Sequence, residues 1–268
     1  MTGTTAAARG RLQRAVGLIA AAWESGGPLA ELPPDLRPRT PAEGYRMQEL
    51  LGAALGFPVS GWKVGATTPA ARRMFRTRAP FAARLYGPRM LDAGARLPGS
   101  ALRLRGVECE VTLRLGRDLP ARRTPYGLDE VRDAVDAVVP SIEVVEPRWA
   151  DWIAAGIPSV VADGGGNGWM VLGSALAGAR KPKGDLADLP VELEIDGEVA
   201  VRGTGANAHG GPYLSLLWLA NRMRTGPGLQ AGMIVATGSC TGLHKAAPGN
   251  AVVARFGALG SVSLTFGD

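Results

Sequence analysis

Cysteine is scarce in this chain. Cys109 and Cys240 are its only two, which excludes a disulfide-built scaffold and fits a reducing compartment. No Cys/His cluster has the spacing of a zinc site. Aromatic residues make up 6% of the sequence, and the arginines behind its net charge of +6 are scattered rather than interleaved with them. A nucleic-acid surface is therefore only weakly signalled, and no nucleic-acid partner is expected. Attraction of an anionic small substrate uses the charge equally well. Long apolar runs are missing too. Residues 17–23 are apolar, but the run is short and Glu24 follows at once, which argues against a signal peptide or a membrane span. No membrane partner and a cytoplasmic location are expected. No internal repeat is visible. Thirty-eight glycines and twenty prolines point instead to many turns and a β-rich core rather than a helix bundle.

Residues 5–23 have helical composition and apolar periodicity, stopped by Glu24-Ser25-Gly26-Gly27. A proline-rich segment follows. Thr40-Pro41-Ala42-Glu43 reads as a capping box with proline at the first helical position, opening a helix that Gly56-Phe57-Pro58 should close near Leu55. The expected organisation is a helical N-terminal part over residues 1–60 and one larger β-rich domain over 61–268. Residues 80–88 read as an irregular loop, and residues 128–138 carry helical spacing through Leu128, Val131, Val135 and Val138.

The most informative stretch is Gly106-Val107-Glu108-Cys109-Glu110-Val111-Thr112-Leu113-Arg114-Leu115. With period two, Val107, Cys109, Val111, Leu113 and Leu115 share one face, and Glu108 and Glu110 stand side by side on the other. Two adjacent carboxylates in a dry site raise the pKa of one of them unless a cation lies between. They could be oxygen ligands of Mg²⁺ or Mn²⁺, or the polar face of an amphipathic strand. The chain contains its own control. Val191-Glu192-Leu193-Glu194-Ile195 also alternates, but it runs into the hairpin turn Asp196-Gly197, as a solvated hairpin does. What distinguishes the first pair is a third acid, Glu143, flanked by Ile142, Val144 and Val145. A carboxylate in such company is costly to bury without a partner.

Lys63, between Trp62 and Val64, reads as a partly desolvated ammonium with a lowered pKa suited to proton transfer, or as a strand-end lysine reaching for water. Asp163-Gly164-Gly165-Gly166-Asn167 lacks a Walker pattern and reads as a flexible loop near a site. His209, in a glycine-rich turn, could serve as acid or base, or make a structural hydrogen bond. Gly238-Ser239-Cys240-Thr241-Gly242, with His244 behind it, has the form of a nucleophile elbow, but Pro248-Gly249 leaves no long helix after it. A polar turn presenting Thr237, Ser239 and backbone N–H groups to a carboxylate is the alternative.

Taken in order, Gly61-Trp62-Lys63-Val64-Gly65, Val107-Glu108-Cys109-Glu110-Val111, Pro140-Ser141-Ile142-Glu143-Val144-Val145, Val161-Ala162-Asp163, Leu217-Trp218-Leu219-Ala220-Asn221, Thr237-Gly238-Ser239 and Pro248-Gly249-Asn250 resemble one known group. It is the 2-keto-4-pentenoate hydratase/4-oxalocrotonate decarboxylase group of the fumarylacetoacetate hydrolase superfamily. The resemblance implies an α+β fold, a small helical N-terminal part plus a C-terminal mixed β-roll, often as a homo-oligomer. It implies a Mg²⁺ or Mn²⁺ site at Glu108, Glu110 and Glu143, a catalytic Lys63, and substrate-carboxylate contacts at Thr237 and Ser239. The implied activity is hydration of a 2-hydroxypenta-2,4-dienoate-like 2-oxo acid through a metal-bound enolate. Decarboxylation of a 4-oxalocrotonate-like acid, C–C hydrolysis of an acylpyruvate, or a catalytically inactive partner of the same fold are the alternatives. Two departures from the group stand out: many of its hydratases carry an acid where this chain has Pro80-Phe81-Ala82-Ala83, and relatives usually have leucine where it has His209.

Overall fold

The computed structural model describes residues 6–178, 182 and 184–268. Its helices are α1 (Ala6–Ser25), α2 (Pro41–Leu55), α3 (Pro69–Met74), α4 (Leu128–Ala134), α5 (Gly156–Ala162) and α6 (Pro212–Met223). Its strands are β1 (Val59–Gly65), β2 (Phe81–Tyr86), β3 (Met90–Asp92), β4 (Ala95–Leu97), β5 (Gly106–Leu115), β6 (Val135–Val145) and β7 (Asn167–Leu172). They continue with β8 (Leu176–Ala177), β9 (Pro190–Ile195), β10 (Glu198–Thr204), β11 (Ile234–Ser239), β12 (His244–Lys245), β13 (Ala251–Arg255) and β14 (Ser261–Phe266). Among the described residues no helix is long and apolar enough to cross a membrane.

Local chemistry sets the helix ends. Thr40 accepts from the Glu43 N–H, Pro41 opens α2, and Gly56 closes it in the left-handed conformation. The Glu43 carboxylate reaches back to the Arg39 N–H, one residue earlier than a standard capping box. The expected first helix starts at Ala6 within the described residues; Thr5 lies outside them.

The strands form two mixed sheets. The larger runs β2-β1-β11-β5-β6-β7-β3, with β12 and β8 added to β5 and β6. The β1–β11 and β3–β7 pairs are parallel and the rest antiparallel. The smaller sheet runs β10-β9-β13-β14-β4. The face of β5 carrying Val107, Cys109, Val111, Leu113 and Leu115 is wholly buried in the main core, and burying each large apolar side chain contributes about 1.5–3 kcal/mol. The helices α1 and α2 close a second core against Tyr86, Trp149 and Ala162.

Two expectations are corrected. Residues 81–86 are not irregular; they form β2, buried on both faces and antiparallel to β1, so the alternation that marks a half-exposed strand is absent. The helix expected over 128–138 ends at Ala134. Val135 and Val138 begin β6 instead, because a run of β-branched residues fits a pleated sheet better than a helix.

One buried ion pair ties α1 to the turn before β7. Arg148 donates through Nε to Asp163 at 2.7 Å and through Nη1 to the Asn167 carbonyl at 2.7 Å, and stacks 3.8 Å from the centre of the Trp23 ring. The Trp23 indole N–H also donates to Asp163, at 2.9 Å. Asp163→Ala leaves that guanidinium buried and unpaired. We expect it to lower unfolding stability by about 3 kcal/mol, read as a drop in the urea midpoint; an unchanged midpoint would refute the pairing.

Candidate metal centre

The register of three strands builds the site. In the β5–β6 ladder Glu108 lies directly opposite Glu143 and Glu110 opposite Ser141, so all three glutamates face the same way. Each offers a carboxylate oxygen within 4.8 Å of the others. On the next strand, Ser239 of β11 is paired with Glu110, and β1 beyond it carries Lys63. Glu110 and Glu143 are buried and Glu108 is partly open. They border a cavity of about 370 Å³ with Lys63, Gly238 and Ser239.

A bulge in β11 between Ala236 and Ser239 turns the Gly238 N–H onto Glu110 at 2.9 Å. Only glycine fits there: φ is +104° and a Cβ would lie 2.5 Å from the Thr67 side chain. The Ser239 hydroxyl bonds to Glu108 and accepts from the Gly242 N–H at 2.8 Å. Lys63 Nζ pairs with Glu143 Oε1 at 2.5 Å and donates to the Gly165 carbonyl at 3.2 Å.

The glycine run is not a flexible loop. Gly164, Gly165 and Gly166 form a buried turn, all at positive φ. A Cβ on Gly165 would lie 2.7 Å from Phe81. The turn delivers Asn167, whose side-chain amide donates to Glu143 Oε1 at 2.9 Å. Sequence reasoning missed Asn167; its place directly after the glycine run was the available signal.

Burial pushes the Glu108 carboxyl up to about 7, helped by the charge of Glu143 and opposed by Lys63 and the Ser239 hydroxyl. Burial, with Glu143 and Glu108, raises Glu110 well above the carboxylate range. Lys63 goes the opposite way from the sequence expectation. Burial alone would lower it, but Glu143, Glu108 and Glu110 outweigh burial and its pKa ends raised, so it is a firm ammonium among three acids.

One oxygen decides whether a cation fits. Glu143 Oε2 is buried with no hydrogen-bond partner, although buried carboxylate oxygens are normally satisfied. Three converging carboxylates, one with a free oxygen and none with a guanidinium partner, are a hard-cation donor set. The control pair has the opposite surroundings: Glu192 is paired with Arg202 and Glu194 with Arg255.

The remaining candidates are scattered. Thr237 is fully buried and donates to the Val111 carbonyl at 2.7 Å; it is not among the residues lining the cavity. His209 bonds to the backbone of Thr67 behind the cavity wall, and burial together with Arg72 pushes its imidazole down. The elbow is absent: the chain continues from Cys240 into the short β12, and the Cys240 thiol is fully buried and pushed far up by burial. His244 contacts the Thr241 carbonyl instead. Cys240→Ala is therefore expected to keep turnover within about threefold of the parent; loss of all activity with the fold intact would restore the cysteine mechanism.

The profile described as fumarylacetoacetate (FAA) hydrolase C-terminal matches residues 90–266. The chain is 31% identical over 250 residues to a 2-keto-4-pentenoate hydratase of Paraburkholderia xenovorans (strain LB400), covering 91% of each. It is 35% identical over 140 residues to a 4-oxalocrotonate decarboxylase of Pseudomonas putida, 52% of each chain. Among solved structures, 4-oxalocrotonate decarboxylase from Pseudomonas putida G7 complexed with magnesium and adipate superposes with a TM-score of 0.87. That match has 27% identity over 96% of this chain and 98% of the other.

Proposed function

The chain belongs to the fumarylacetoacetate hydrolase family, and from that premise we propose that it is a divalent-metal-dependent lyase adding water to a 2-hydroxypenta-2,4-dienoate-like 2-oxo acid. The observation that carries the reading is the unpartnered Glu143 Oε2 inside a trio of converging carboxylates, two of them buried. Glu108, Glu110 and Glu143 would hold Mg²⁺ or Mn²⁺, which supplies Lewis-acid charge to polarise a substrate oxygen.

The chain's own groups do the rest. Lys63, held by Glu143 and the Gly165 carbonyl, keeps a proton at Nζ that it can deliver to a substrate carbon as the dienol becomes a ketone. The Gly238 N–H and the Ser239 hydroxyl fix the rotamers of Glu110 and Glu108, and Asn167 fixes Glu143.

Decarboxylation of a 4-oxalocrotonate-like acid is the second reading, favoured by β2. Ala83 lies opposite Lys63, and Phe81 and Ala82 beside it are buried, so no acid on that strand is present to activate water. The test is a screen of unsaturated 2-oxo acids, following dienol absorbance and CO₂ release together. Consumption that stops with EDTA and returns with Mg²⁺ or Mn²⁺ supports the proposal; turnover indifferent to EDTA overturns it.

A further inference from the structure

The cavity has a second half. Away from the carboxylates it is walled by Ala70, Ala71 and Met74 of α3 and by Leu243 after β11. Met74 and Leu243 are 44% and 39% exposed, while Glu110 and Glu143 are almost fully buried, so the cavity runs from a charged floor to an apolar mouth. Among the described residues the only cation lining it is Lys63, already paired with Glu143. Arg72 is turned to the carbonyls of Ala66 and Thr67. Arg76 and Arg78 line a neighbouring cleft on the other side of Met74.

We propose that this mouth selects 2-oxo acids with one carboxylate and an apolar tail, and that Ala71 and Met74 determine the selection. The proposal rests on the reading above, in which the carboxylate floor and its cation take the 2-oxo acid head. A second carboxylate at the mouth would lose hydration against Met74 and Leu243 with no cation among the lining residues to meet it. An alkyl tail covers the same two side chains and gains about fourfold in affinity for each buried methylene. The alanines at 70 and 71 keep the passage wide, and no charged group replaces them.

The test is calorimetric titration of the Mg²⁺-loaded protein with three unreactive ligands: pyruvate (the head alone), 2-oxohexanoate, and 2-oxoadipate, of equal length but ending in a second carboxylate. The parent should bind 2-oxohexanoate at least about tenfold tighter than either of the others. Ala71→Arg should reverse the order of the two six-carbon acids. Met74→Lys, at an exposed position that tolerates charge, should bring them within about threefold and keeps the test alive if Ala71→Arg fails to fold. Binding of 2-oxoadipate as tight as 2-oxohexanoate, or no gain from the alkyl tail over pyruvate, overturns the proposal and leaves the head-group reading standing. No binding of any of the three with Mg²⁺ present overturns the head-group reading, and the proposal with it.

Discussion

Glu143→Gln is expected to weaken Mn²⁺ binding by at least about a hundredfold and to lower turnover about a thousandfold. The size follows from the two sides of this carboxylate. Oε1 accepts from Lys63 and Asn167, and Oε2 has no partner. A glutamine has one acceptor oxygen. If that oxygen faces Lys63 and Asn167, the amide N–H₂ points at the place a cation would take; if it is flipped, N–H groups oppose two donors. Neither orientation reproduces the parent site. Calorimetric titration with Mn²⁺ checks the prediction, with Glu194→Gln as control, since Glu194 sits on the exposed hairpin paired with Arg255. Equal Mn²⁺ affinity in parent and Glu143→Gln would rule the carboxylate out as a ligand.

Lys63→Met should produce a different pattern. It removes the internal counter-charge of three acids. In EDTA this should cost about 3–5 kcal/mol of unfolding stability, and saturating Mg²⁺ should restore most of it, about 2.7 kcal/mol at a hundred times Kd. Turnover should fall about 10²–10⁴-fold and stay low with Mg²⁺ present. A lysine serving only as a structural counter-ion would lose stability in the same way but recover its turnover with the metal. The loss has a pH sign. Burial raises Glu108 to about 7 and Glu110 well above its usual range, so the folded state binds protons more tightly than the unfolded one. Stability therefore rises as pH falls through 7 toward 4.5. The EDTA-dependent loss should be larger at pH 8 than at pH 6, measured by denaturant midpoints; the reverse order would contradict the buried-acid account.

Much of this arrangement was legible in the order of residues. Period-two spacing put Glu108 and Glu110 on one face and five apolar residues on the other, and β5 has that division. Thr40-Pro41 and Asp196-Gly197 marked a helix start and a hairpin, both present. What was not legible depends on contacts between distant segments. That Glu143 stands opposite Glu108 is a fact of strand register, which no local pattern states. The direction of the Lys63 shift is set by three acids brought from two other strands. The strand β2 looks like a loop in the sequence because a segment buried on both faces has no alternation to show. The apolar wall of α3 was hidden among arginines, although Thr68-Pro69 repeats the start signal of Thr40-Pro41.

Arg148 links the opening helix to the turn beside the site: one guanidinium bonds to Asp163 and stacks on Trp23. Positions 23, 148 and 163 thus form one packing unit. A chimera joining the helices of one relative to the sheets of another draws the two sides of this contact from different parents. Recombination across the segment after α1 is safe only between parents that match at all three.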